Sequence, residues 1–343
     1  MMKILKYTAV ATALSIGLYG CGGDGDGSSS TTGQFSLGVS DAPIDDVASV
    51  TLFYKRAVLL PVGSGEPIEF EFNQDEEDSI SVDLLNFQGS DVAPLVTDQE
   101  VPAGDYKLCL FVLDGTEEQN YDSSHVIVGD DVDTGNAFPL QVQGDGKCPQ
   151  GVGEEPNAGV LYFNKTFSIN AGNNDFVAEF DLRRGLKEPV GQNTHYTIQR
   201  TSIQLINNLE AGHIKGTVSS DVVAACDNAI TDGEVTAVNA VYVYSGEVDR
   251  SNMVGFAAAP TDPQVAPTTS ANVNLAEDGV TYEYEIGFLG EGTYSLGYTC
   301  TAGEDTEGSI DGFSIYQGDD ISDPNPVEVV PNNTITVDFN EQV

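Results

Sequence analysis

The feature that most constrains the fold is an alternation of apolar and polar residues over short stretches separated by glycine-rich turns. The clearest case lies at residues 68–72, where Ile68, Phe70 and Phe72 alternate with Glu69 and Glu71. A period of two residues gives a strand one buried face and one solvated face. Beyond the N-terminal segment, no stretch of helical period runs longer than about two turns. The sequence therefore predicts an all-β fold.

The strand-like stretches form two groups, separated by a break in the apolar pattern at residues 207–212. A chain of 343 residues is long enough for two domains of ordinary size. Short strands joined by glycine-rich turns are typical of β-sandwiches. We therefore expect two β-sandwich-like domains, at residues 34–208 and 209–343. A stretch rich in Ala, Pro and Thr at residues 257–271 is expected to be a long polar loop.

The first twenty-one residues indicate export and lipid attachment. Two lysines precede an apolar stretch at residues 7–19, which is too short to remain as a membrane span. Residues 18–21 then have the form of a lipobox ending at Cys21. We expect residues 1–20 to be a lipoprotein signal peptide and Cys21 to be lipidated. An ordinary signal peptide and an uncleaved anchor helix are the alternatives, and both place the folded part outside the cytoplasm.

The next segment, residues 21–33, consists after its cysteine of Gly, Ser, Thr and Asp alone. Such a composition predicts a flexible tether. No Asp directly follows Cys21, so the expected location is the outer membrane, with the lipid anchor as the membrane contact. The folded part would then face either the periplasm or the cell surface.

The chain is strongly acidic, with 54 Asp and Glu against 13 Lys and Arg and a formal net charge of −41. This balance excludes nucleic acid as a partner. The acidic residues are spread along the chain, which favours a hydrated surface that keeps the protein soluble in salt. The alternative is a surface for divalent cations or basic partners.

Four cysteines besides Cys21 are expected to form disulfides, because an even number in an exported protein is typical of them. Four cysteines allow three pairings. The division into two domains favours Cys109 with Cys148 and Cys226 with Cys300. Free buried thiols are the alternative.

No catalytic residue is predicted, because no nucleophile elbow, zinc-protease helix or phosphate-binding loop is present. The sequence favours a protein that is not an enzyme and leaves an enzyme open. Asp41, at the end of a strand, is expected to accept hydrogen bonds from the following turn, with a cation site as the alternative. One of Arg183 and Arg184 is expected to pair with a buried or nearby carboxylate, with binding of an anionic ligand as the alternative.

The candidate metal site is the acidic cluster of Asp130, Asp131 and Asp133, which lacks the ligand spacing of an EF-hand. We expect no cofactor, with calcium as the alternative. Tyr242 and Tyr244 alternate along one strand, and core packing is favoured over a sugar-binding platform.

Five short motifs give the first domain a family resemblance. They are Ser-Asp-Ala-Pro at residues 40–43, a strand at 47–58, Val-Asp-Leu-Leu at 82–85, Val-Pro-Ala-Gly-Asp-Tyr at 101–106 and Phe-Asp-Leu at 180–182. In this order they resemble a bacterial lipoprotein family, domain of unknown function 4382, over roughly residues 35–208. The resemblance implies an exported, usually lipid-anchored β-rich domain without an established activity.

The second domain resembles transthyretin-like or carboxypeptidase-regulatory-like sandwiches. The motifs that carry this lie at residues 216–218, 241–244 and 292–296. We therefore expect a non-enzymatic, lipid-anchored cell-envelope protein that acts as a binding or structural module, with an envelope protein or a glycan as partner. The alternative is a calcium-dependent carbohydrate-binding protein or an envelope hydrolase that uses surface carboxylates.

Overall fold

The computed structural model describes residues 31–42, 44, 47–72, 79–129, 131–143, 147–149, 152, 155–231, 235–306, 312–318 and 321–340. These residues belong to one compact unit. Strands dominate it, so the predicted all-β fold is confirmed. Among the described residues, no helix has the length and apolar character needed to cross a membrane.

The N-terminal half of this unit contains thirteen strands and one short helix. They are β1 (Thr32–Ala42), β2 (Val47–Pro61), β3 (Ile68–Glu71), β4 (Ile80–Asp83), β5 (Ala93–Pro102), β6 (Gly104–Leu113), β7 (His125–Val128), β8 (Asn136–Val142), β9 (Ala158–Ile169), β10 (Gly172–Asp181), α1 (Leu182–Gly185), β11 (Leu186–Lys187), β12 (Tyr196–Ile198) and β13 (Ile203–Asn207).

These strands form two sheets that share one apolar core, and we call the pair the first sandwich. One sheet has the order β13-β10-β1-β5; the other has the order β11-β12-β8-β7-β2-β6-β9, with β3 and β4 also paired to β2. Phe35, Leu37 and Val39 of β1 point into the core beside Leu52 and Tyr54 of β2. Their spacing of two residues is the alternation that predicted the strands.

The C-terminal half adds eight strands and one helix. They are β14 (Gly212–Val218), α2 (Ser220–Ala229), β15 (Ala240–Ser245), β16 (Thr269–Asn272), β17 (Asn274–Leu275), β18 (Tyr282–Leu289), β19 (Gly292–Thr299), β20 (Val327–Val329) and β21 (Thr334–Thr336).

Again two sheets share a core, and we call this pair the second sandwich. Their orders are β17-β18-β14-β21 and β16-β15-β19-β20. Strand β15 is buried on both faces, because Val241 and Val243 join the core between the sheets while Tyr242 and Tyr244 pack in a smaller cluster on the other side. Both tyrosines are fully buried, so core packing is their role.

Two elements of the second sandwich differ from the prediction. Helix α2 was not predicted, since its apolar positions extend over only ten residues; Ser219 caps it, and it buries Val222, Val223 and Cys226. The expected loop at residues 257–271 contains the start of β16. The boundary between residues 208 and 209 stays a prediction.

Among the described residues, the two sandwiches contact one another through an apolar cluster that joins Val177 and Ile206 to Phe288, and through further contacts. Arg183 of α1 donates to the carbonyl of Ala302 at 3.2 Å and to Oδ1 of Asn272 at 2.6 Å. At another place, a Cβ atom on Gly287 would lie 1.9 Å from the carbonyl oxygen of Gly89, so only glycine allows this approach. Arg183 of the first sandwich therefore forms hydrogen bonds directly with residues of the second sandwich.

Candidate functional site

A groove lies on one side of the first sandwich, between β9 and β13. Each of these strands is the last in its sheet and pairs with one neighbour only among the described strands. The cavity between them has a volume of about 980 Å³. Ligand sites commonly enclose about 300–1,000 Å³. We call this the edge groove, and it is the candidate binding site.

The β9 side of the edge groove is irregular. Pairing with β6 is regular at Phe167 and again at Phe163, but residues 164–166 lie opposite Lys107 alone. This insertion is a bulge, and its three residues are exposed. Lys165 lies at its centre. A bulge and a lysine are two of the devices that prevent an edge strand from pairing with another chain.

The opposite side, β13, is regular. It pairs with β10 without a register shift, from Ile203 opposite Phe180 to Asn207 opposite Phe176. It contains no charged residue and no proline. Its outer edge is therefore open for backbone hydrogen bonding.

Apolar side chains line part of the groove. Phe163, Phe167 and Leu205 are partly buried and pack against the core of the first sandwich. The ring of Phe167 lies 4.6 Å from that of Phe176, measured between centroids. A chain bound along the open edge of β13 would therefore contact apolar surface beside that edge.

Two cations line the same groove, although the whole chain has only 13. Lys165 and Arg200 are both exposed. Neither makes an ion pair with another described residue. Glu210 is the one acidic residue in the lining. The edge groove is therefore positively charged on an otherwise acidic protein.

A second groove, of about 520 Å³, lies on the outer face of the second sandwich beside the Gly89 turn. Its lining is polar and includes Lys215, Glu283, Glu285 and Asp338. We call this the polar groove. Its carboxylates could accept hydrogen bonds from the hydroxyl groups of a glycan.

Aspartates from three of the family motifs lie near one another at the junction of the sandwiches. Asp83 accepts hydrogen bonds from the amides of Val50 and Leu85 at 3.1 and 3.2 Å. Asp181 caps α1 by accepting from the Arg184 amide at 3.1 Å. These two aspartates therefore have a structural role, as helix and turn caps.

Asp41, the third of them, is different. It is 2% exposed, and neither of its carboxylate oxygens accepts a hydrogen bond from a described residue. The expectation that it bonds the backbone of the following turn stays a prediction, because residues 43, 45 and 46 of that turn lie outside the described residues. The hydroxyl of Tyr54 is likewise buried without a described partner.

Burial controls the ionisation of these groups. Burial, and then the charge of Asp181, raise the pKa of Asp41 well above its usual value, and the nearby Leu182 amide, which lies outside hydrogen-bond geometry, offsets only part of this. Burial raises the pKa of Asp181 to about 6, against the amide and charge of Arg184 and the charge of Arg183. Both carboxyl groups thus resist ionisation.

Arg183 and Arg184 both lie near Asp181, since both lower its pKa, and a salt bridge to it stays a prediction. Arg183 has a further role that the sequence did not indicate, because its hydrogen bonds to Asn272 and Ala302 reach the second sandwich. Its guanidinium carbon also lies 5.8 Å from the centre of the Tyr242 ring.

The predicted disulfides are confirmed. Cys109 pairs with Cys148, with their Cα atoms 6.0 Å apart, and Cys226 pairs with Cys300 at 5.9 Å. The first bond ties a core strand to a loop, and the second ties α2 to the end of β19.

Two predicted sites fall wholly or partly outside the described residues. Cys21 lies outside them, and so does Asp130 of the candidate calcium cluster. Asp131 and Asp133 are exposed, and Oδ1 of Asp131 accepts a hydrogen bond from the Asp133 amide at 2.7 Å. Within the described ranges, no three His, Cys, Asp or Glu side chains are grouped so that they could hold a metal ion. Calcium binding at the cluster stays a prediction.

The fold is all-β and consists of two sandwiches, each of which contains one disulfide. Residues 32–199 match the family model "Domain of unknown function (DUF4382)". The resemblance carried by the five motifs is thereby confirmed over these residues. The resemblance of the second domain to transthyretin-like sandwiches stays a prediction. No curated protein matches the chain.

Solved structures give only remote likenesses. A leucine-rich repeat protein from Bacteroides thetaiotaomicron is 11% identical over 91% of this chain, with a TM-score of 0.21, and the chain spans 26% of its length. The minor pilin GBS52 of Streptococcus agalactiae is 9% identical, with coverages of 89% and 94% and a TM-score of 0.17. A proposed cell adhesion protein of Bacteroides fragilis is 9% identical, with coverages of 89% and 92% and a TM-score of 0.18. At these scores none of the three carries an argument about function.

Proposed function

We propose that this chain is a non-enzymatic, lipid-anchored protein of the cell envelope that binds a partner through the edge groove. The observation that carries the proposal is the groove itself: an open strand edge, apolar side chains and two exposed cations lie together on an acidic protein. Such a combination provides shape, backbone hydrogen bonds and charge for recognition.

The sequence supports the location. The predicted signal peptide, the lipidation site at Cys21 and the tether would hold the folded part at a membrane surface, with the outer membrane as the destination.

Anchoring is tested with the Cys21→Ala variant expressed in a Gram-negative host that is fed radiolabelled palmitate. We expect the wild-type chain to carry label and to fractionate with outer membranes, while the variant carries none. Labelled Cys21→Ala protein would contradict lipidation at this residue.

Partner binding is tested with photo-crosslinking amino acids placed at Thr166 and Gln204, which lie on opposite sides of the edge groove and are exposed. The matched control position is Val62, which is 50% exposed and lies outside the groove. We expect one discrete crosslinked envelope product from both groove positions and none from Val62. Equal crosslinking from all three positions would contradict a role for the groove.

The polar groove favours a second candidate, glycan binding. Glu283 and Glu285 lie on the same face of β18, and their carboxylate oxygens can accept hydrogen bonds from sugar hydroxyls. A glycan array read with calcium and with a chelator tests it. Binding that is lost in Glu285→Gln would support this candidate, and a blank array would remove it.

A further inference from the structure

We infer that the edge groove takes an extended acidic segment of a partner protein, which adds to the sheet as a strand beside β13. The inference rests on the proposed function and names the class of partner for the same groove.

The two sides of the groove differ in what they can pair with. The bulge at residues 164–166 and Lys165 block regular pairing on β9. In β13, alternate residues direct their N–H and C=O groups away from β10. No described residue hydrogen-bonds to that outer edge. A further strand can therefore join only on the β13 side.

The length of β13 sets the size of the bound segment. It has five residues, from Ile203 to Asn207. At about 3.3 Å per residue this edge is roughly 16 Å long, so a segment of about five or six extended residues would cover it.

The positive charge of the groove favours an acidic segment. Lys165 lies on the side that faces β13, and Arg200 lies three residues before the start of β13. Both are exposed and without an ion pair among the described residues. Acidic side chains on the added strand would meet both cations, whereas a basic segment would meet them with like charge.

The apolar lining of the groove favours large apolar residues at the other positions of the bound segment. Side chains alternate between the two faces of a strand, so every second residue of the segment would point toward Phe163, Phe167 and Leu205. The expected pattern is therefore Asp or Glu alternating with large apolar residues.

The test uses the full-length lipoprotein in mild detergent and three short fluorescent peptides. The first alternates Glu with Ile and Phe, the second has Lys in place of Glu, and the third is the first with prolines that remove backbone donors. We expect the Glu peptide to bind, and the Lys and proline peptides to bind at least tenfold more weakly.

Charge-reversal variants locate the site. Lys165→Glu and Arg200→Glu should each weaken binding of the Glu peptide about tenfold, which corresponds to about 1.4 kcal/mol. Lys215→Glu is the matched control in the polar groove and should leave binding within about twofold of wild type. All three positions are exposed, so the variants should fold, which circular dichroism checks.

Failure of this inference is separable from failure of the proposed function. If no peptide binds, or if the Lys or proline peptide binds as well as the Glu peptide, the acidic strand is ruled out. Groove-specific crosslinks in cells would still support the proposed function in that case. If Lys215→Glu alone weakens binding, the peptide occupies the polar groove and the inference is overturned.

Discussion

Two buried aspartates, one in each sandwich, have opposite surroundings. Asp305 is 8% exposed and accepts three hydrogen bonds, from the Tyr242 hydroxyl at 3.0 Å and from the amides of Phe256 and Ala257 at 2.8 and 2.9 Å. Asp41 is 2% exposed and accepts none from a described residue. Burial alone therefore does not determine whether a carboxylate stabilises the fold. The hydrogen-bond donors around the carboxylate determine it.

Replacing Asp305 should have the largest effect. Asp305→Ala leaves one buried and two part-buried donors without an acceptor, so we expect the free energy of unfolding to fall by about 3–5 kcal/mol. Urea denaturation monitored by circular dichroism measures it. The control is Asp278→Ala, since Asp278 also accepts three hydrogen bonds but on an exposed turn. An equal loss in both variants would mean that burial of Asp305 adds nothing.

The pH dependence of stability should come next. Asp181 has a pKa of about 6 in the fold and near 3.9 when unfolded, so between these values the folded state holds a proton that the unfolded state has lost. Stability should therefore decrease as pH rises from 4 to 7, by about 3 kcal/mol from Asp181. Asp41 and Glu179, whose pKa values burial also raises, add in the same direction.

Urea denaturation from pH 4 to pH 8 tests this sign. The Asp41→Asn, Asp181→Asn double variant should show a flatter profile than wild type. A wild-type protein that becomes more stable as pH rises through this window would contradict the assignment.

A smaller effect of opposite sign is expected for Asp41→Asn alone. The neutral amide removes the cost of ionising a buried group without partners, so we expect a gain of about 1–2 kcal/mol at pH 7.5. Thermal and urea unfolding measure it. A clear loss of stability would show that Asp41 has a partner that its described neighbours do not supply.

Calcium should change the melting temperature least, because no described group of three acidic side chains is placed to hold a metal ion. A rise that Asp131→Asn and Asp133→Asn abolish would support the cluster predicted from the sequence. A rise in melting temperature that Asp41→Asn abolishes would instead show that Asp41 binds calcium. Asp41 would then have a partner, as Asp305 does.

Local patterns predicted much of the fold. Alternation at residues 68–72 identified β3, because its residues are alternately partly buried and exposed. The disulfide pairing followed from assigning each pair of cysteines to one half of the chain. Helix α2 was missed because its buried face has only three buried residues, too few to give a clear helical period.

The sites were harder to predict, because their residues are distant in sequence. Asp305 and Tyr242 are 63 positions apart in the sequence, and no local pattern near either residue predicts their hydrogen bond. Lys165 and Arg200 come together only because β9 and β13 end two different sheets. Asp41 was singled out, but the direction of its side chain depends on the strand register. The scarcity of cations was the one available signal for the edge groove.

The position of β1 has a mechanical consequence. Its residues pair in parallel with β10 along almost its whole length and with β5 on the other side. If the predicted tether holds the protein at a membrane, a pull on the anchor enters the fold through the start of β1 and runs along that strand. Such a load shears two ladders of hydrogen bonds together instead of opening them one by one. The attachment point is thus also the most strongly held strand of its sheet.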